Sequence, residues 1–132
     1  MGYARRHFGG AGRFEVGDLY GLPYEDGAFD VVVCSEVLEH LDRPARAVAE
    51  LARVARRGVA LSVPREPYFD ALNRLGQAVG GAPDPGHVQH WTRGAFAAFL
   101  RPLLGPATVT TRHLFTLASA PVGGADAGGV AR

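Results

Sequence analysis

Residues 30–41 read DVVVCSEVLEHL, and this stretch indicates both a strand and a polar site where that strand ends. The run of three valines at 31–33 is typical of a strand that is buried on both faces of a parallel sheet. Cys34 and Ser35 follow at the end of the run. Open α/β sheets bind their ligands at the carboxyl edge of such strands. The sequence therefore predicts a strand over residues 29–34 and a site just beyond it.

The segment after this stretch predicts a second strand parallel to the first. Asp42 can cap a helix whose first turn contains Pro44, and apolar residues recur at helical spacing as far as Ala55. Gly58 is expected to end the helix, and the apolar run 59–63 predicts another buried strand. A strand, a helix and a strand of these lengths form a crossover unit, in which the two strands are parallel.

Proline and glycine residues and segments of regular apolar spacing divide the rest of the chain into predicted helices, strands and a tail. Thr92 can cap a helix whose end is marked by Pro102. Residues 120–132 are mostly Gly and Ala and have little to bury, so we expect a disordered tail after a single domain over residues 1–119. The other predicted elements are a helix that ends near Phe8, a strand at 14–16, a helix at 68–79 and closing strands at 108–112 and 114–118.

Composition limits the classes of function. A chain of 132 residues that is 47% hydrophobic can bury one core. The net charge is +1 and the 14 basic residues, all Arg, are scattered, so binding of nucleic acid through bulk charge is not indicated. The single cysteine, Cys34, excludes an internal disulfide and favours the reducing cytoplasm. No apolar run approaches the roughly 20 residues of a membrane span, so we expect no membrane partner.

A cluster of possible metal ligands follows the valine strand. Glu36, Glu39 and His40 stand at i, i+3 and i+4 and would share one face of a helix. Together with His87 from a later loop, they could hold Mg²⁺, Mn²⁺ or a similar ion. In the alternative interpretation no metal binds, and Glu39 or His40 caps a helix or bonds to the backbone.

A second polar cluster contains His87 and His90 beside Trp91. A neutral imidazole can draw a proton from a hydroxyl near neutral pH, so either histidine is a candidate general base. In the alternative interpretation, both histidines orient the loop and pack against Trp91.

Several short motifs occur in an order that is typical of one enzyme family. They are GDL at 17–19, LPY at 22–24, GAFDVV at 27–32, EVLEHL at 36–41, SVP at 62–64 and GH at 86–87. In this order and spacing the chain resembles the class I S-adenosylmethionine-dependent methyltransferases, within the small-molecule "type 11" group that includes ubiquinone and menaquinone methyltransferases. The resemblance covers roughly residues 3–117.

The resemblance implies roles for four residues in binding S-adenosylmethionine. Asp18 matches the acidic residue that accepts a hydrogen bond from the adenine amino group, and Leu19 matches the residue whose backbone N–H meets the adenine ring. Cys34 and Ser35 match positions whose backbone lines the methionine part of the cofactor. The alternative for Asp18 is an acid that forms a turn after Gly17.

The first motif of the family, a strand followed by a glycine-rich turn, has no counterpart here. The resemblance therefore implies a chain truncated before that motif: a partial Rossmann-like α/β sheet, mostly parallel with an antiparallel C-terminal hairpin, that lacks the first βαβ unit. The expected function is methyl transfer to a small molecule, impaired by the truncation. The alternative is a non-catalytic fragment that associates through the exposed edge of its valine strand. A metal-dependent enzyme acting on RNA termini is least favoured, because there is no basic patch.

Overall fold

The structure, a computed structural model, describes residues 2–8, 10, 12–78 and 86–123. Within these ranges, four helices and four strands alternate in part along the chain. The elements are α1 (Gly2–Phe8), β1 (Phe29–Ser35), a single 3₁₀ turn (Leu38–His40), α2 (Pro44–Val54), β2 (Ala55–Pro64), α3 (Tyr68–Ala78), α4 (Arg93–Leu104), β3 (Thr108–Arg112) and β4 (Phe115–Pro121).

The strands form one sheet in the order β1-β2-β4-β3. β1 pairs with β2 in parallel, and β4 pairs antiparallel with both β2 and β3. The α/β class, the crossover unit and the antiparallel C-terminal hairpin are thus confirmed. Among the described strands the parallel part of the sheet is the β1–β2 pair.

One face of the sheet carries the core. Alternate residues of β2, Val59, Leu61 and Val63, are buried against α2 and α4. Phe96 and Leu100 of α4 are completely buried in the same cluster. Full burial of a side chain of this size stabilises a fold by about 1.5–3 kcal/mol, so this face holds the sheet and its two helices together.

The other face of the sheet is exposed, which corrects the expectation that the valine strand is buried on both sides. Val31 and Val33 are 57% and 70% exposed, whereas Cys34, whose side chain points to the opposite face, is buried. Valines suit a pleated surface whether or not it is covered. The run of valines therefore predicted the strand correctly, but among the described residues no second layer covers it.

The predicted boundaries of α2 were wrong at both ends. Arg43 takes the N-cap position that was expected for Asp42, and the helix ends at Val54 instead of near Gly58. Residues 55–57 belong to β2, whose first residue pairs with Phe29 at the start of β1. Pairing between strands is a long-range contact, and helical spacing of alanines does not reveal it.

α4 runs past its predicted end. Thr92 caps the helix as expected, by accepting a hydrogen bond from the Ala95 N–H. Pro102 lies inside the last turn. The helix runs to Leu104, and Gly105, whose φ is 73°, is its C-cap. A proline has no backbone N–H and so removes one helical hydrogen bond, here the bond to the carbonyl of Ala98. Ala98 is exposed, so water can serve that carbonyl and the helix can continue.

The N-terminal and C-terminal segments differ in part from the predictions. The helix before Gly9 is confirmed, but residues 14–16 are irregular and the strand predicted there was wrong. β4 continues to Pro121, two residues beyond the predicted domain boundary, by pairing with the start of β2. The rest of the predicted tail, 124–132, and the predicted last residue of the helix 68–79 lie outside the described residues. None of the described helices has the length and apolar content needed to cross a membrane.

Arg53 of α2 holds the loop of residues 18–27 in place. Its guanidinium donates hydrogen bonds to two carbonyls and two carboxylates, those of Leu22, Tyr24, Asp26 and Glu50. Glu50 also accepts from the backbone N–H of Leu22 at 2.8 Å. The Arg53 contact, followed by the Leu22 N–H, lowers the pKa of Glu50 to about 2. Charge-assisted bonds of this kind are stronger than neutral ones, so the loop has a defined position on α2.

The ion pair between Glu50 and Arg53 predicts that the folded chain loses stability in acid. The pKa of Glu50 is about 2 in the folded chain against an ordinary value of 4.5, so its contribution to stability is complete above pH 4.5 and is lost as the pH falls towards 2. We expect Glu50→Gln to be less stable than the wild type near neutral pH and the gap to narrow between pH 4.5 and 2. The free energy of unfolding, from urea titrations at each pH, measures this. Glu25→Gln, an exposed acid in the same loop, is the control. A gap that stays constant down to pH 2 would refute the assignment.

Candidate functional site at the carboxyl edge of the parallel strands

Three hydrogen-bonded side chains lie where β1 and β2 end. The hydroxyls of Ser35 and Ser62 are 2.8 Å apart, and the Ser62 hydroxyl donates to Oε1 of Glu36 at 2.7 Å. Ser35 and Ser62 are partners in the strand register, so the pairing of β1 with β2 places them together. Ser62 could not be predicted as a site residue from the sequence, because only that register brings it to Ser35.

Glu36 does not share a helical face with Glu39 and His40, which corrects the sequence interpretation. It has a left-handed backbone with φ of 54°, and only the 3₁₀ turn Leu38–His40 follows. Its backbone N–H donates to the carbonyl of Ser62 at 3.1 Å. A left-handed backbone costs conformational free energy in a residue other than glycine. Here the two hydrogen bonds with Ser62, one from the Glu36 N–H and one to its carboxylate, hold Glu36 in this conformation.

Glu39 is the most buried ionisable group at this edge. Its exposed fraction is 1%, and its Oε2 atom finds no hydrogen-bond partner among the described residues. Burial raises the pKa of this carboxyl above its ordinary value, and the nearby charge of Glu36 adds to the shift. A buried carboxylate without a full set of partners is costly, so Glu39 is a site where a proton or a cation would be stabilising.

The backbone of Glu39 anchors the later loop of residues 86–91. Its carbonyl accepts hydrogen bonds from the N–H groups of Val88 and Gln89, at 2.8 and 2.9 Å. The Gln89 side chain also donates to the carbonyl of Leu41. These contacts bring the histidine cluster of the loop next to the 3₁₀ turn.

Three of the four predicted metal ligands come together. The rings of His40 and His87 have centroids 4.7 Å apart, and one ligand atom from each of Glu39, His40 and His87 lies within 4.8 Å of the other two. Glu36, the fourth predicted ligand, is not part of this group and contacts Ser62 instead. The structure therefore assembles one carboxylate and two imidazoles.

His90 contacts a different acid. Its Nδ1 lies 3.1 Å from Oε1 of Glu66, and Oε2 of Glu66 accepts from the N–H of Asp70 in the first turn of α3. A carboxylate oxygen accepts hydrogen bonds, so the tautomer that fits this contact carries its proton on Nδ1 and has Nε2 as an acceptor. Glu66 lies in no local motif, so the sequence did not predict it as a site residue.

The loop expected to meet adenine forms a turn on the surface. Oδ1 of Asp18 accepts from the N–H of Tyr20 at 2.9 Å, and its carbonyl accepts from Gly21. Leu19 is half-buried against the core. Asp18 therefore forms the turn that the sequence allowed as an alternative. Its exposed carboxylate still has acceptor sites to spare.

Cys34 and Ser35 lie beside an open groove on the exposed face of the sheet. Cys34 is 6% exposed, and burial raises the pKa of its thiol to about 11, so it is unsuited to act as a nucleophile. The groove has a volume of about 260 Å³. We call it the sheet groove; six residues that line it are Val33, Ser35, Ala60, Ser62, Leu117 and Ser119.

Comparison of the sequence with known proteins finds similarity to methyltransferases. Residues 1–63 match the family described as "Methyltransferase domain". An uncharacterized methyltransferase of Mycobacterium marinum is 34% identical over 95 residues, which cover 70% of this chain and 32% of that protein. Ajmaline N-methyltransferase of Rauvolfia serpentina is 40% identical over 57 residues, covering 43% of this chain and 20% of that protein.

A solved structure shares the fold. Magnesium protoporphyrin IX methyltransferase from Synechocystis, solved with bound SAH, superposes with a TM-score of 0.57 at 20% identity. The match covers 83% of this chain and 50% of that one. The chain thus spans about half of this structure and a third or less of the two relatives in sequence. Residues 1–63 therefore belong to the methyltransferase domain family, and the described part of the chain has the fold of the class I S-adenosylmethionine-dependent methyltransferases.

Proposed function

We propose that this chain takes part in the transfer of the methyl group of S-adenosylmethionine to a small-molecule acceptor. The observation that carries the proposal is the polar carboxyl edge of a parallel strand pair, in a chain of this family. Ligands of open α/β sheets bind at this edge. The N-methyltransferase among the relatives has a small molecule, ajmaline, in its name, which supports an acceptor of that class.

Four residues are proposed to contact the cofactor. Asp18 would accept from the adenine amino group and the backbone N–H of Leu19 would meet the ring. The backbone of Cys34 and Ser35 would line the methionine part, since a strand end offers unpaired backbone groups. Arg53 supports this arrangement by fixing the loop that carries Asp18.

Methyl transfer itself needs alignment more than reactive side chains. An acceptor atom attacks the methyl carbon in line with the C–S bond, and the bonding electron pair leaves with sulfur. Holding the three atoms in line in a dry pocket provides most of the acceleration. The acceptor also loses a proton, for which His87 and His90 are the candidate bases. The Glu66 contact favours His90, because it leaves Nε2 free to accept.

Binding of S-adenosylhomocysteine, measured by calorimetry on folded protein, tests the proposal directly. We expect saturable binding, weakened because no glycine-rich turn is found in the sequence to hold the rest of the cofactor. Asp18→Asn keeps the oxygen that forms the turn but removes the charge, and should weaken binding about tenfold, as expected for loss of a charge-assisted bond. Asp42→Asn, an exposed acid outside the loop, is the matched control. Equal affinities of wild type and Asp18→Asn would refute the role of Asp18, and no binding at all would refute the proposal.

A second candidate function follows from the outer edge of β1. β1 is the end strand of the described sheet, so one side of its backbone has no strand partner there. Such an edge can pair with another chain. In this alternative the chain is a non-catalytic module that acts by association, and it would bind no cofactor.

We also propose that Glu39, His40 and His87 can hold a divalent cation. The distances within the cluster and the unpartnered Oε2 of buried Glu39 support this. One carboxylate with two imidazoles suits borderline ions such as Mn²⁺ or Zn²⁺ better than Mg²⁺, which prefers oxygen ligands.

Calorimetric titration with Mn²⁺, Zn²⁺ and Mg²⁺ tests whether the cluster binds a cation and which ion it prefers. We expect Mn²⁺ or Zn²⁺ to bind more tightly than Mg²⁺, and Glu39→Gln to weaken binding by at least about tenfold, because a charged ligand is lost. Glu36→Gln is the control, since Glu36 contacts Ser62 and lies outside the cluster. Unchanged affinity in Glu39→Gln, or an equal loss in Glu36→Gln, would rule out this ligand set.

A further inference from the structure

Glu66 lies where three parts of the chain meet. It follows the end of β2 and precedes the start of α3, by two residues in each case. Its backbone N–H donates to the carbonyl of Trp91 at 3.3 Å, which ties it to the loop of residues 86–91. Only 9% of the Glu66 side chain is exposed. A carboxylate that is enclosed to this degree is stabilised by N–H groups that donate to its oxygens.

The two oxygens of Glu66 contact two different elements. Oε2 accepts from the backbone N–H of Asp70, in the first turn of α3, at 3.1 Å. Oε1 lies 3.1 Å from Nδ1 of His90. A backbone N–H can only donate, whereas a ring nitrogen donates or accepts according to the tautomer of the imidazole. Of the two contacts, only the contact with His90 can therefore reverse its direction.

The position of His90 is also fixed from the side of the core. Trp91, the next residue, is 8% exposed, and its ring packs against that of Phe99 in α4 with the centroids 5.2 Å apart. The ring of His90 lies 6.2 Å from that of His87, and 48% of its side chain is exposed. His90 is thus held between the core and Glu66 and is still accessible to a ligand.

We propose that Glu66 is a positioning residue that holds His90 in the tautomer with its proton on Nδ1 and an accepting Nε2. This inference rests on the proposed function, in which His90 is a candidate base. As the methyl group moves from sulfur to the acceptor atom, the O–H or N–H bond of the acceptor breaks and its proton bonds to Nε2. The C–S electron pair stays on sulfur, and the ring becomes a cation. That cation lies against the Glu66 carboxylate, as a charge-assisted hydrogen-bonded pair.

Glu66→Gln separates this role from support of the fold. An amide has the shape of a carboxylate, but it has one accepting oxygen and one donating nitrogen. Both contacts are kept only when the oxygen accepts from the Asp70 N–H and the nitrogen donates to Nδ1 of His90. The proton of His90 must then lie on Nε2. We therefore expect the variant to reverse the tautomer while the start of α3 stays in place.

The tautomer is measured by ¹⁵N NMR of the histidine rings, because protonated and unprotonated ring nitrogens differ in chemical shift. Spectra are recorded at about pH 8.5, roughly two units above the ordinary pKa of histidine, with a chelator present. His90→Gln identifies the signals of His90 by their loss. We expect mainly the Nδ1–H form in the wild type. In Glu66→Gln the ratio should shift at least about tenfold towards Nε2–H, since this form keeps two hydrogen bonds and the other keeps one.

Asp70→Asn is the matched control for the change from acid to amide. The Asp70 carboxylate pairs with Arg74 on α3, and its replacement leaves the backbone N–H that Glu66 accepts from. The tautomer of His90 should therefore stay as in the wild type. Circular dichroism verifies that each variant folds, and the wild-type spectrum tests the proposal without any variant.

Three outcomes would overturn the proposal. They are a wild-type His90 with its proton mainly on Nε2, a tautomer that does not change in Glu66→Gln, and an equal change in Asp70→Asn. None of these spectra requires a cofactor or an acceptor. Failure of S-adenosylhomocysteine to bind would count against the proposed function instead, so the two failures are distinguishable.

Discussion

The parallel pairing of β1 with β2 is the contact on which the rest of the structure depends. Its register places Cys34 opposite Leu61 and Ser35 opposite Ser62. The first pair is buried under the helices and the second begins the polar edge. Parallel strands cannot be joined by a tight turn, so α2 must cross over one face of the sheet. The positions of the core, the helix layer and the site thus all follow from the register between β1 and β2.

This arrangement covers only one face of the sheet within the described residues. α2 and α4 pack on the same side, against Val59, Leu61 and Val63 of β2. The residues of β2 that face the other side, Gly58, Ala60 and Ser62, are all small. Small residues on a sheet face permit close approach of another element, whereas a face adapted to water usually carries polar or charged side chains. The composition of the exposed face is therefore that of a surface suited to contact with a further layer.

Local signals in the sequence predicted most of the elements, because they act within a few residues. The valine run, the cap at Thr92 and the helix of residues 68–78 were found in this way. The contacts that shape the site are long-range. Glu66 meets His90 across 24 positions, and Ser62 meets Glu36 across 26. Spacing placed Glu36 on a helical face with Glu39, but the contact with Ser62 and a left-handed backbone separate them. Such competition between local and distant partners cannot be read from periodicity.

The three carboxylates near the carboxyl edge show how the fold gives one type of group different properties. Glu36 accepts from a serine, Glu66 accepts from a histidine and from the start of α3, and Glu39 is enclosed with one oxygen unpartnered among the described residues. Burial disfavours the charged form of Glu39 and raises its pKa. A buried carboxylate is costly when it has no charged partner. It gains most from a positive charge that replaces its proton. Of the three, Glu39 is therefore the carboxylate whose state depends most on what binds beside it, and Glu36 and Glu66 are better suited to fixed structural contacts.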